Sequence, residues 1–290
     1  MIRPFTEFVA IDWSGQAVAR PKGLAVARTT TGDAAPELVV PEGGWSRGAI
    51  LDWLIGLADT GTRALIGLDL SPAFPFIDEG AYFPGWEASP PDAKSLWALV
   101  EAISSDDPHL GVGSFVAHPQ AKRHFRQRFD CGDLFPAGRG RFRKVEHGQA
   151  DMALSPYSCF NLVGASQVGK SSLTGMRVFH RLAGRIPFWP FDPVPDAGPL
   201  LVEIYTALPA RLAGLRKGVS KIRDGETLDR ALAAFGSAPH RPLARYDDHA
   251  TDALLTAAWL RRAAEQEALW RPAGLDAHVA RTEGWTFGVV

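Results

Sequence analysis

The sequence predicts an α/β protein, a mixed sheet flanked by helices, and three features carry that reading. Short apolar runs end in or beside an acid at 7–12 (EFVAID), 63–70 (RALIGLDL) and 200–205 (LLVEIY). Between the first two lies a run with helical apolar spacing, and a second such run follows the last. A chain of 290 residues, 46% hydrophobic and 22% charged, is long enough to bury a sizeable core, and one domain over 1–290 is the expected organisation.

The elements follow in order. The segments 7–12, 23–28 (GLAVAR) and 38–40 are separated by turns bearing Gly or Pro and read as a three-strand meander. Ser46 then caps AILDWLIGLAD, and Gly61 ends that helix. The run 63–70 is almost purely apolar, as a central parallel strand requires. From 72 to 199 Pro, Gly, Trp and Phe are dense (SPAFPF, YFPGWEASPP, DLFPAGRGRF, IPFWPFDP). That stretch reads as a long irregular insertion with helices near 93–103 and 173–183. A buried-type strand resumes at 200–205, and a helix over 248–268 carries Ala253, Leu254, Ala257, Ala258 and Leu260 on its apolar face.

Composition narrows the function classes. Lys plus Arg (31) balances Asp plus Glu (32), so a net charge of -1 gives no global field towards nucleic acid or membrane. Any nucleic-acid contact must be local. No apolar run reaches the ~18 residues of a membrane span. Two cysteines, Cys131 and Cys159, are too few for a disulfide framework, and the start lacks the build of a signal peptide, which reads as cytoplasmic.

The acids are the chemical signal. Asp12, Asp69 and Glu203 stand at strand ends, and Asp247, Asp248, His249 and Asp252 open the late helix. Helix neighbours three and four apart share a face, which sets Asp252 beside His249 or Asp248. In an open α/β sheet such groups gather outside the carboxyl ends of the strands. Two carboxylates ~4 Å apart repel by roughly 4 kcal/mol at an effective dielectric of 20, so a cluster demands protons or cations. An oxygen-rich site suits Mg²⁺ or Mn²⁺, and two such ions activate water against a phosphodiester. Taken singly, each acid has a plainer reading. Asp247 or Asp248 is a natural N-cap, and Asp69 before Ser71-Pro72 a natural turn former.

The stretches VAIDWSG, IGLDLSPAFPF, LTGMRVFHRLAGRIPFWPFD, VEIYTALPARLAG, DDHATDALLTAAWL and ARTEGWTFGV together resemble the domain-of-unknown-function family number 429, described as predicted RNase H-like nucleases. The resemblance touches most of the chain and implies an RNase H-like core. The wider superfamily, which includes the Holliday-junction resolvases, holds its metal acids on the first strand, a later strand and a final helix. By position Asp12 is similar to the first-strand aspartate, Asp69 or Glu203 to the middle acid, and His249 and Asp252 to the helix pair. His249 stands where many relatives have an acid, with Asp248 beside it as a further ligand. The implied activity is a metal-dependent nuclease or phosphodiesterase with Asp12, Asp69, Glu203, Asp252 and His249 at its centre.

Other features point elsewhere. Gly164, Gly169, Lys170 and Ser171 satisfy G-x-x-x-x-G-K-[ST], which reads either as a phosphate-cradling P-loop or, inside an irregular stretch without a following acid strand, as a structural turn. The runs 118–128 (HPQAKRHFRQR) and 138–144 (GRGRFRK) read either as a local nucleic-acid surface or as solvated loops. Cys131 and Cys159 read as packing residues, and Trp189, Trp259 and Trp285 as core or interface aromatics. Rival functions are therefore an ATPase or phosphotransferase, actin-like or using Lys170, and a non-catalytic binding protein.

Overall fold

The computed structural model describes residues 5–127, 130–136, 138–163, 168–215 and 221–290. The strands are β1 (Glu7–Asp12), β2 (Ala25–Thr30), β3 (Glu37–Leu38), β4 (Ala64–Asp69), β5 (Phe188–Trp189) and β6 (Leu200–Glu203). The helices are α1 (Arg47–Asp59), α2 (Ala93–Ser104), α3 (Gly113–Ala117), α4 (Lys144–Asp151), α5 (Val168–Leu182), α6 (Ala207–Leu212), α7 (Gly225–Ala233), α8 (Asp248–Ala263) and α9 (Ala277–Thr282). The strands form one sheet in the order β3-β2-β1-β4-β6-β5. β2 runs antiparallel to β1 and to β3, whereas β4 is parallel to β1, β6 to β4 and β5 to β6. The expected α/β class holds, with a mixed sheet flanked by helices.

Period-2 alternation sorts the strand residues between two cores. Val9, Ile11, Ile66, Leu68 and Leu201 face a layer made by α1, α2 and α5. Phe8, Ala10, Leu65, Leu200 and Val202 face α8. Burial on both faces explains why β4 carries no polar residue before Asp69. Each Leu so buried contributes roughly 1.5–3 kcal/mol. Gly67 lets α8 approach: a Cβ there would lie 2.5 Å from the Ile204 side chain and 3.1 Å from Leu260.

Local chemistry accounts for the element ends. Ser46 accepts from the Ala49 N–H at 3.0 Å and caps α1, a contribution of about 1 kcal/mol. Asp247, not Asp248, caps α8 by accepting from Ala250 at 3.0 Å. That helix ends at Ala263 rather than at 268, and a separate 3-10 turn follows at Glu267–Trp270.

The segment 72–199 is more than an irregular excursion. Its helices α2 and α5 pack on each other and form most of one covering layer, and its last part supplies the edge strand β5. The basic runs within it are divided between interior and surface, with Lys122, Arg126, Arg139 and Lys144 exposed. His124, Arg141 and Arg143 are buried, as is Phe125, and burial pulls the His124 imidazole down to about 4. Arg141 serves Asp78 (2.5 Å) and the carbonyls of Pro75, Ala81 and Tyr82, while Arg123 is paired with Asp133. Arg128 lies outside the described residues. Among the described residues His124, Phe125, Arg141 and Arg143 are therefore withdrawn from the surface. Cys159 is buried, with burial raising its thiol, and Cys131 is exposed and free. Trp189, Trp259 and Trp285 are core residues. Among the described residues no helix is long and apolar enough to cross a membrane.

Candidate functional site

A cleft of about 290 Å³ lies at the carboxyl ends of the central strands, and Asp12, Asp69, Glu203, Asp248, His249 and Asp252 all line it. Register decides what each acid does there. Asp12 and Asp69 are direct partners across β1 and β4, so their side chains share the face covered by α8. On that helix His249 and Asp252, three apart, project over the same place. Glu203 pairs with Leu68 instead, one residue short of Asp69, and so faces the opposite layer.

The α8 side is an acid cluster with too little counter-charge. Asp12 Oδ2 receives a hydrogen bond from His249 Nδ1 at 2.9 Å, and that contact raises the imidazole. Asp12 itself is raised, by burial first, against the lowering influence of His249. Asp69 Oδ2 accepts from the Thr206 hydroxyl at 3.0 Å, yet burial and then the charge of Asp12 push it up to about 7. Asp252 is raised well above the carboxylate range by burial and then by Asp12 and Asp69, and no hydrogen bond relieves it among the described residues. Gly23 stands against His249, where a Cβ would lie 3.1 Å from Cε1, a tight approach to the ring.

Glu203 belongs to a different device. Arg143, fully buried, donates to both of its oxygens (2.6 and 2.8 Å), to Glu146 at 3.0 Å and to Ser71 at 3.1 Å, and Thr286 adds a bond to Glu203 at 2.7 Å. Glu203, expected among the metal-bearing acids, is thus paired with a buried guanidinium. Asp248 is likewise engaged. Against burial, which raises it, hydrogen bonds from Arg223 and Lys221 (2.5 Å for the latter) hold it below the ordinary range. The structure thus brings Asp12, Asp69, His249 and Asp252 together and ties Glu203 and Asp248 to cations. Among the described residues no three His, Cys, Asp or Glu side chains are already closed around a common point. Mutual repulsion accounts for carboxylates that converge without closing.

Sequence reasoning missed Arg143, Thr206 and the cleft tyrosines Tyr157 and Tyr205. Arg143 and Glu203 are sixty positions apart and carry no mutual pattern. Thr206 sits three residues after Glu203 in VEIYT, where its neighbour drew the attention.

The P-loop-like stretch has its own account. Gly164 lies outside the described residues. CFNLV forms no strand beyond an isolated bridge between Asn161 and Arg126, whereas a P-loop needs one there. Gly169 is required by packing, since a Cβ would lie 2.1 Å from the Cys159 carbonyl oxygen. Lys170 and Ser171 open α5 against the loop after β1: a Cβ on Gly15 would meet the Ser171 nitrogen at 2.4 Å. Trp13 fastens the same junction by donating to the Thr174 hydroxyl at 3.0 Å.

Compared with known proteins, the chain matches no family model, no curated protein sequence and no solved structure.

Proposed function

We propose that the protein is a metal-dependent phosphodiesterase of RNase H-like type, acting on nucleic acid or a related phosphate diester. The observation that carries this reading is the pairing of Asp12 and Asp69 in register on parallel strands, with Asp252 unpartnered beside them. The acids come from the first strand, a later strand and a late helix, the distribution expected from the family resemblance. Three carboxylates raised by burial, with Asp12 raising Asp69 and both raising Asp252, form a hard, oxygen-only donor set in need of positive charge, which fits Mg²⁺ or Mn²⁺.

Asp12, Asp69 and Asp252 would hold the ion. Such an ion supplies an activated water and neutralises charge developing on the phosphate. The protein's own residues do the rest. Thr206 orients Asp69, and His249, fixed through Nδ1 by Asp12, keeps Nε2 for a proton at the cleft. Arg143 sets the floor of the cleft through Glu203 and Glu146. The tyrosines Tyr157 and Tyr205 line the walls and offer faces for a base.

The test is thermal melting with chelator and with Mn²⁺, alongside hydrolysis of a single-stranded oligonucleotide. Mn²⁺ at a hundredfold excess over its dissociation constant should stabilise the parent by about 2.7 kcal/mol. Asp252→Asn should lose that gain and turnover together. Equal response to Mn²⁺ in parent and variant would remove the metal site, and stabilisation without hydrolysis would leave a binding protein.

A further inference from the structure

The loop that leads into α4 comes up against one wall of the acidic cleft. It turns at Gly138 (φ 86°) and Gly140 (φ 88°) and seats on the segment that follows Pro156 and Tyr157, where a Cβ on Gly140 would lie 2.8 Å from the Ser158 hydroxyl. Beneath it the buried Arg141 anchors the loop through Asp78 and the carbonyls of Pro75, Ala81 and Tyr82. Arg139, two residues earlier, is exposed.

Arg139 is nevertheless held in place from two sides. Its Nη2 donates to the Pro156 carbonyl at 2.8 Å, and its guanidinium carbon lies 5.3 Å from the centre of the Phe142 ring. Among the described residues no carboxylate pairs with it, and its Nε and Nη1 make no hydrogen bond. Pro156 and Tyr157 both line the cleft, and Tyr157 is 49% exposed. The edge of the cleft therefore carries an open aromatic ring and, bonded to the residue beside it, a positioned cation without a counter-ion. A guanidinium takes a phosphate through several donors, and a ring face takes any unstacked base. In a duplex the bases are stacked inside and leave the ring nothing to cover.

We propose that a single nucleic-acid strand lying in the cleft leaves it over this edge, with one base on the Tyr157 ring and an adjoining phosphate on Arg139. The inference rests on the phosphodiesterase reading for the place of the strand in the cleft, and adds where the strand leaves and why a single strand is selected over a duplex. Of the three arginines in 138–144, Arg139 meets the strand, while Arg141 and Arg143 are turned inward and hold the loop and the cleft floor.

The experiment is fluorescence anisotropy of a labelled single-stranded oligonucleotide with the full chain, in chelator and with Ca²⁺, over a range of salt, together with hydrolysis of the same strand in Mn²⁺. Parent, Arg139→Gln, Tyr157→Ala and Tyr157→Phe are compared, and because both positions are exposed the variants should fold. Saturable binding is expected in the parent and in Tyr157→Phe, which keeps the ring. Tyr157→Ala should bind at least about fivefold more weakly with an unchanged salt slope. Arg139→Gln should also bind more weakly, with a slope smaller by about 0.7, the signature of one lost phosphate contact. A duplex of the same sequence, and polyglutamate as competitor, should each bind at least about fivefold more weakly than the strand, since neither offers a free base. Binding that depends on both residues, without hydrolysis in Mn²⁺, supports the path and removes the phosphodiesterase. Hydrolysis with KM unchanged in Arg139→Gln and Tyr157→Ala keeps the enzyme and overturns the path. No saturable binding by the parent in either condition, or equal affinity for strand, duplex and polyglutamate, overturns it as well.

Discussion

Asp69 is pushed up to about 7 by burial and by Asp12, so the folded chain holds its proton more tightly than an unfolded carboxyl of about 3.9. Stability from this source is complete below about pH 4, falls as pH rises and levels off above about pH 7, a loss of roughly 4 kcal/mol shared with Asp12 and Asp252, which titrate with it. In chelator Asp69→Asn should therefore match the parent at pH 4 and exceed it at pH 8. Urea unfolding at both values measures the difference, and a variant no more stable than the parent at pH 8 would mean that Asp69 ionises as an ordinary acid. The identity of the clustered acids was legible from residue type and position at strand ends. The direction of Glu203 was not, because a strand-ending acid carries no register, and one residue of offset against Asp69 sends it to the other face and into the grasp of Arg143.

At the scale of elements, the junction between the β1 loop and α5 depends on the missing side chain of Gly15. A Cβ there would lie 2.4 Å from the Ser171 nitrogen and 2.5 Å from the Lys170 carbonyl carbon, both backbone atoms that cannot rotate away. Gly15→Ala should destabilise the protein by ~1–3 kcal/mol and weaken Mn²⁺ binding, since the displaced loop begins at Asp12. Denaturant midpoints and Mn²⁺ titration check both effects, and an unchanged midpoint would show that the junction yields easily. β1, β4, β6 and α1 were readable because each combines an apolar pattern with a cap or a turn. β5 has two residues and shows no periodicity among prolines. α4 opens after Arg143, which has no capping side chain, and Glu146 three residues on accepts from the Arg143 backbone N–H at 2.8 Å instead.

Across the whole molecule, the sheet is the shared wall of two hydrophobic cores, and β1 and β4 lie at its middle with neighbours on both edges and burial on both faces. Opening them exposes both cores, whereas β5 has one partner strand. Native-state hydrogen exchange should accordingly be slowest at Val9–Ile11 and Leu65–Leu68, near the global unfolding free energy, and faster at Phe188 and Trp189. Faster exchange in β1 than in β5 would mean that the α2 and α5 layer is the more stable unit. The role of 72–199 as that layer was hidden in the sequence, because α2 packs on α5 more than sixty positions away and the segment's irregular parts are held by internal arginines rather than by pattern.

The spacing of the acidic group along the chain also has a bearing on biosynthesis. Asp12 and Asp69 meet as soon as β1 and β4 can pair, but Asp252 and His249 ride on a helix that ends at Ala263. A chain still emerging from the ribosome, with α8 not yet outside, has two of the three carboxylates and no imidazole. The paired acids then face an uncovered sheet, open to water that screens their repulsion. Whatever chemistry the cleft performs needs α8 in place, so chains cut short before that helix lack the complete acidic group.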